Sequence, residues 1–271
     1  MIRTNKILLC LSLISMLACN TESKIYKRVG GGHLYLVSGN KELFWFSGIH
    51  GVDPLNPMFY DICVEFAKFA PDVVLVEGNA IAPNDSLDAI RHGESSFVAY
   101  LSQTNHIQIQ STEPTDSSIF RYLLNSCTKD EILAMYLIRQ MVQWQRPNAN
   151  INFEVNAVDF VNGINKTLKY SVSSIKLSQL SDLLEPYTNI EDLNNNNWTD
   201  FDAKKYLYFS KNRINEIYEH VSAYRNIYLI QLLKETLESN NRVFVMMGFD
   251  HAKELDKELQ KLFDDLSIRS E

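Results

Sequence analysis

The segment that decides the fold is residues 43–77, which read LFWFSGIHGVDPLNPMFYDICVEFAKFAPDVVLVE. It opens with an apolar run, Leu43 to Phe46, and closes with a second one, Val73 to Val76. Between these runs, apolar residues recur at the spacing of one helix face, at Phe59, Ile62, Cys63, Phe66 and Phe69. A strand, a helix and a strand over about 35 residues form a βαβ unit, whose strands run parallel. We therefore predict an α/β fold with a central, mostly parallel sheet.

Patterns on both sides of this unit extend the prediction. Residues 34–37 and 43–46 flank the turn signal Gly39-Asn40 and indicate a hairpin. Further helices are predicted over 97–105, 117–146 with a break near Thr128, 216–238 and 252–263, and further strands over 106–110 and 243–247. The polar middle of the chain indicates a helical insertion over 147–215, inside one domain that spans 31–265, with Asn194–Asn197 as a solvated loop.

The beginning of the chain is typical of a secretory leader. Arg3 and Lys6 precede twelve uncharged residues, Ile7 to Ala18, which are too few to span a bilayer. Met16-Leu17-Ala18-Cys19 resembles the lipobox of bacterial lipoproteins, in which the cysteine receives the lipid. We predict a signal peptide over 1–18, lipidation of Cys19 and a tether over 19–30, which would place the protein in the bacterial cell envelope on a membrane. A plain secretory signal is the alternative.

Charge and cysteine content exclude two classes of function. Acidic residues outnumber basic ones by 33 to 26, and the net charge of −7 argues against a nucleic-acid partner. No Cys-x-x-Cys pair or Cys–His cluster occurs, which excludes a thiolate zinc site. Beyond the leader, Cys63 and Cys127 lie in apolar helical patterns and are predicted to be free, buried thiols.

One pattern occurs twice, near the two ends of the chain. An apolar strand, a tight turn and a histidine run from Leu43 to His50, and the same order runs from Val243 to His251. Glu77 directly follows the strand at 73–76. Ligands of open α/β sheets bind outside the carboxyl ends of the strands. If these strands are neighbours, His50, Glu77 and His251 would converge on one site, where imidazoles and a carboxylate suit a divalent metal.

Three further residues are weaker candidates for the same site. Glu94 precedes a helix, where the helix dipole alone would explain a carboxylate. Glu113 follows the strand at 106–110. Arg225 lies within the long helix, either reaching toward these acids or on its solvated face.

The order of these motifs resembles the TraB/GumN–Tiki family, in a superfamily with the erythromycin esterases and the ChaN-like haem-binding lipoproteins. The family pattern is a Gly-x-x-His after the first strand, a strand that ends in Glu, and a second Gly-x-x-His near the end. Here the second motif matches as Gly248-x-x-His251, and the strand that ends in Glu77 also matches. The first motif departs from the pattern, because Ser47 occupies its glycine position before His50. The resemblance implies a sheet built from two related halves. It also implies that His50, Glu77 and His251 hold a metal such as manganese, cobalt or zinc.

The resemblance implies a hydrolase that cleaves a peptide or ester bond with a water activated by the metal or by His50. Arg225 or the metal would then stabilise the oxyanion, and Glu94 or Glu113 would orient the base or transfer the proton. Two alternatives stay open. The chain would bind haem or another small ligand without catalysis, as ChaN-like lipoproteins do, or it would be an inactive envelope scaffold.

Overall fold

The structure is a computed structural model that describes residues 25–28, 32–79, 81–145, 152–167, 176–188, 198 and 201–268. The chain divides into two compact units, one formed by Met1–Gln110 with Leu233–Glu271 and the other by Ser111–Leu232. The first unit carries almost the whole sheet, and the described elements of the second are helical apart from the last residue of one strand. The second unit begins well before the insertion predicted over 147–215.

The described residues contain six strands in one mixed sheet. The strands are β1 (Ile25–Arg28), β2 (Leu34–Ser38), β3 (Lys41–Gly48), β4 (Val73–Val76), β5 (Gln108–Ser111) and β6 (Arg242–Gly248), in the spatial order β1-β2-β3-β6-β4-β5. β1, β2 and β3 pair antiparallel, so the predicted hairpin is present, while β6 pairs parallel with both β3 and β4. The α/β class and a parallel sheet centre are therefore as predicted.

Two details of the sheet differ from the prediction. β3 and β4 are parallel but not neighbours, because β6 lies between them and pairs Phe44 with Phe244 on one side and Val74 with Phe244 on the other. Residues 25–28, which we assigned to the tether, form β1 and pair with β2. β1 lies at the edge of the sheet. Because it is short and half of its residues are polar, its sequence shows only a weak strand pattern.

The described helices pack on this sheet or on one another. They are α1 (Pro57–Phe69), α2 (Ser86–Arg91), α3 (Glu94–Thr104), α4 (Asp116–Leu123), α5 (Lys129–Trp144), α6 (Phe153–Thr167), α7 (Leu177–Leu184), α8 (Arg213–Ser239), α9 (Phe249–Glu254) and α10 (Asp256–Ile268), with a π-helical turn at Lys205–Phe209. α1 begins where the Asn56 side chain accepts the N–H of Met58, and it ends at Ala70, whose φ is +47°.

Each unit has its own apolar core. In the first unit, aromatic residues of the sheet and of α1 and α3 pack together, with the Phe44 and Phe244 rings 5.6 Å apart. In the second unit, α5 is buried on most of its circumference among the surrounding helices. α5 begins with a capping box, in which Thr128 and Glu131 bond to each other's backbone N–H.

Several predictions concern residues that lie outside the described ranges. The signal peptide over 1–18, the lipidated Cys19 and the Asn194–Asn197 loop are among them. Within the described ranges, no helix combines the length and the apolar character needed to cross a bilayer. Cys63 and Cys127 are free, as predicted, although only Cys127 is fully buried.

Candidate active site

Three of the predicted site residues follow adjacent parallel strands at their carboxyl ends. β3 and β6 are in register so that Gly48 lies opposite Gly248, and the histidines come two and three residues later. The Glu77 N–H donates to the Met246 carbonyl at 3.0 Å, which extends the β4–β6 ladder by one residue. This is the edge of a parallel sheet at which ligands bind.

His50 is paired with Glu94 at this edge. Its Nδ1 lies 2.7 Å from Oε1 of Glu94, and the imidazole is 87% exposed while the carboxylate is 7% exposed. An ionised carboxylate only accepts hydrogen bonds, so its pairing with this ring requires the tautomer in which Nδ1–H is the donor. Nε2 then has its lone pair available on an accessible ring. A histidine held in this way can act as a base toward water or as a metal ligand.

The backbone explains how Glu94 reaches His50. Gly93 has a φ of +97° and lies directly before α3, so the helix begins at Glu94. A Cβ atom at Gly48 would lie only 3.0 Å from Cγ of Glu94 and 2.4 Å from Cε of Met246. The missing side chain at Gly48 therefore makes room for the buried carboxylate. The helix dipole considered for Glu94 remains favourable, but its carboxylate also has a specific partner.

His251 and Glu77 form the second histidine–carboxylate pair. Nε2 of His251 lies 3.9 Å from Oε1 of Glu77, too far for a direct hydrogen bond. The other carboxylate oxygen accepts the Gly248 N–H at 3.4 Å. Nδ1 of His251 is buried and has no hydrogen-bond partner among the described residues. The imidazole and the carboxylate therefore face each other without a direct hydrogen bond between them.

The spacing of this second pair fits a shared divalent ion. Metal bonds of about 2.0–2.2 Å to nitrogen and oxygen allow two ligands of one ion to lie up to about 4.2 Å apart. The 3.9 Å between His251 and Glu77 lies within this limit, whereas a tetrahedral ion would draw the two atoms to about 3.4 Å. However, no three His, Cys, Asp or Glu side chains of the described ranges are grouped closely enough to hold an ion. The structure thus brings together His251 with Glu77, and His50 with Glu94, and the three-ligand set stays a prediction.

The remaining two candidates, Glu113 and Arg225, lie in the second unit and contact each other. The guanidinium of Arg225, on α8, donates to Oε1 of Glu113, which lies just after β5. Both side chains are partly buried, so the ion pair supports the packing of this unit. Their roles in stabilising an oxyanion or moving a proton stay predictions.

Sequence reasoning missed one residue beside the site, His33. Its Nδ1 accepts the Ser47 backbone N–H at 3.0 Å, and the Ser47 hydroxyl donates to the Gly32 carbonyl at 3.0 Å. Ser47 is thus a buried residue whose two hydrogen bonds hold the end of β3 in place. His33 carries no spacing signal, since it meets Ser47 only through the antiparallel pairing of β2 with β3.

The environment of His33 favours its neutral form. Burial lowers its pKa, and the nearby carboxylates of Glu65 and Asp61 oppose this shift only in part. A neutral ring is also what the hydrogen bond requires, because Nδ1 accepts the Ser47 N–H only while it is unprotonated. Protonation of His33 would therefore break its hydrogen bond to the end of β3.

Comparison with known proteins leaves the family open. No family model matches the chain, and neither a curated protein nor a solved structure is significantly similar to it.

Proposed function

We propose that the chain is a hydrolase of the bacterial cell envelope, lipid-anchored through Cys19, that uses His50 to activate a water molecule against a peptide or ester carbonyl. The observation that carries this proposal is the 2.7 Å hydrogen bond from the exposed His50 to the buried Glu94. The bond satisfies the buried carboxylate, and it also holds an exposed imidazole in one orientation. A general base needs such a fixed tautomer and ring orientation.

The mechanism follows from the positions of the two ring nitrogens. Nδ1 of His50 donates to Glu94, so Nε2 is the nitrogen that takes the proton of the attacking water. The buried carboxylate stabilises the imidazolium that forms. As the tetrahedral intermediate breaks down, the imidazolium returns the proton to the leaving amine or alcohol, and His50 is neutral again.

A divalent ion such as manganese, cobalt or zinc would be held by His251 and Glu77, whose facing atoms are 3.9 Å apart. When bound there, it would supply Lewis-acid stabilisation of the charge that develops on the acyl oxygen. We further propose that the motifs ending in His50 and His251 mark two related halves of the sheet, as in the TraB/GumN–Tiki family. The register of Gly48 with Gly248 supports this relation.

Activity on a panel of chromogenic esters and fluorogenic peptides tests the role of His50. His50→Asn removes the base and is expected to lower kcat by about 10²–10⁴-fold. Glu94→Gln is expected to cost a similar factor, because an amide that donates to Nδ1 moves the ring proton to Nε2. The matched control is His92→Asn, since His92 is an exposed histidine whose Nδ1 contacts, among the described residues, only the carbonyl and carboxylate of Asp88 in the preceding helix. Equal losses in the His50 and His92 variants would contradict the proposal.

Elemental analysis of protein purified without chelator tests the ion separately. We expect about one divalent ion per chain, lost in His251→Ala and in Glu77→Gln. No bound ion, even after addition of manganese, cobalt or zinc, would refute the metal site and leave the His50 mechanism to the activity panel. An absorption spectrum of the same samples tests the haem-binding alternative, because haem gives a visible band.

A further inference from the structure

A cavity of about 490 Å³ lies within the second unit, among α4, α5 and α6. Its apolar wall consists of Phe120, Tyr136, Phe160 and Ile164. The Phe120 and Tyr136 rings are stacked, with centroids 5.3 Å apart. This volume is within the range that small-molecule sites occupy. The proposed hydrolase uses none of these residues, so the cavity is a separate feature of the chain.

Two opposite charges line the same cavity without pairing. Arg139 of α5 is partly buried, with its guanidinium carbon 6.0 Å from the centre of the Tyr136 ring. Asp116, the first residue of α4, is exposed at the cavity. Within the described ranges, neither side chain forms an ion pair, with the other or with a third residue. The cavity therefore offers one cation and one anion to a ligand.

Gly163 keeps part of the cavity wall open. It lies inside α6, where glycine is unfavourable relative to alanine. A Cβ atom at this position would meet nothing within 4 Å, so the packing of the helices does not require glycine. Any larger side chain would instead project from the wall of the cavity. Gly163 is itself exposed, so it lies at the open mouth of the cavity.

We propose that this cavity binds a zwitterion of the α-amino acid class that carries an aromatic side chain. The guanidinium of Arg139 donates two parallel N–H bonds to the ligand carboxylate, the bidentate geometry in which arginine binds carboxylates best. Asp116 binds the ammonium group, and the aromatic ring of the ligand packs against Phe120, Tyr136 and Phe160. A ligand with only one charge would leave either Arg139 or Asp116 paired only with water.

Calorimetric titration of the purified full chain with three small molecules tests this proposal. L-phenylalanine carries both charges, 3-phenylpropionate lacks the ammonium group and phenethylamine lacks the carboxylate, while the apolar body is the same. We expect L-phenylalanine to bind at least tenfold more tightly than either of the others, because each lost charge-assisted contact costs about one order of magnitude.

Charge-neutral variants assign each contact to its residue. Arg139→Gln should remove the preference for L-phenylalanine over phenethylamine, and Asp116→Asn should remove the preference over 3-phenylpropionate. The control is a folded variant that keeps both charges but fills the cavity with a larger side chain. Gly163→Leu improves the helix and occupies the cavity, so it should keep the melting temperature and abolish binding of all three molecules.

Several outcomes would overturn the proposal. Equal affinity for the three molecules would show that the charges do not select the ligand. Binding that survives in Gly163→Leu would place the ligand elsewhere. No detectable binding of L-phenylalanine at 10 mM, about tenfold above a 1 mM dissociation constant, would refute the site itself. None of these results depends on whether His50 is catalytic, because the titration measures no turnover.

Discussion

Replacing Gly48 with alanine perturbs the point at which the sheet and the candidate active site meet. The added Cβ would lie 2.4 Å from Cε of Met246 and 3.0 Å from Cγ of Glu94. Ordinary contacts between such atoms begin at about 3.4 Å, so the methionine has to move by about 1 Å. Met246 is fully buried on β6, between β3 and β4, so its flexible end has to repack among other core side chains.

The expected cost combines two opposing effects. Overpacking a full core by one methyl group costs about 1–3 kcal/mol. Alanine in a strand recovers about 0.5–1 kcal/mol of the backbone entropy that glycine loses on folding. We therefore expect a net loss of about 0–2.5 kcal/mol in the free energy of unfolding, centred near about 1 kcal/mol, and each kcal/mol lowers the melting temperature by about 2–4 °C. Displacement of Glu94 would also weaken its 2.7 Å bond to His50.

Thermal unfolding followed by circular dichroism measures this effect, with Gly248→Ala as the matched control. Gly248 lies opposite Gly48 in the β3–β6 register, but its Cβ would meet only Oε2 of Glu77, at an ordinary 3.9 Å. This control should cost less than about 1 kcal/mol.

A double-mutant cycle identifies the clashing partner. Met246→Val removes Cε, so Gly48→Ala should cost at least about 0.5 kcal/mol less in that background. Additive effects of the two substitutions, or equal costs for the two glycine variants, would refute the close-contact argument.

Three further predictions concern other parts of the chain. The stability that His33 contributes is complete above its unfolded pKa of about 6.5 and is lost as the pH falls through its lowered folded pKa. Chemical denaturation below pH 6.5 should therefore show a fall in the free energy of unfolding, and His33→Gln should abolish this fall. A slope that persists in the variant would assign it to other groups. Tyr136→Phe should leave stability unchanged or raise it by about 1 kcal/mol, because its buried hydroxyl has no described partner, and a clear loss in urea denaturation would reveal one. Thr128→Ala should cost about 1 kcal/mol in the same assay by removing the cap on the Glu131 N–H, whereas Thr128→Ser should restore it.

Much of the first unit could be predicted from local patterns. The runs 43–46, 73–76 and 243–247 lie in buried strands, and the spacing from Phe59 to Phe69 lies in α1. Such signals are strong because each element buries a continuous set of apolar residues. β1 was missed, since four residues at a sheet edge show no comparable pattern. Local patterns also do not show which strands pair, because β6, almost 200 residues after β3, lies between β3 and β4.

The sequence by itself determined the α/β class, the parallel centre of the sheet and the positions of His50, Glu77 and His251 at strand ends, because hydrophobic periodicity and strand termini are local properties. Only the tertiary structure decided which carboxylate lies beside which histidine. Glu94, 44 residues from His50, reaches it because Gly48 leaves room, and Glu77 approaches His251 instead. Such pairings depend on the packing of separate elements within a few ångströms, and spacing along the chain does not record those distances.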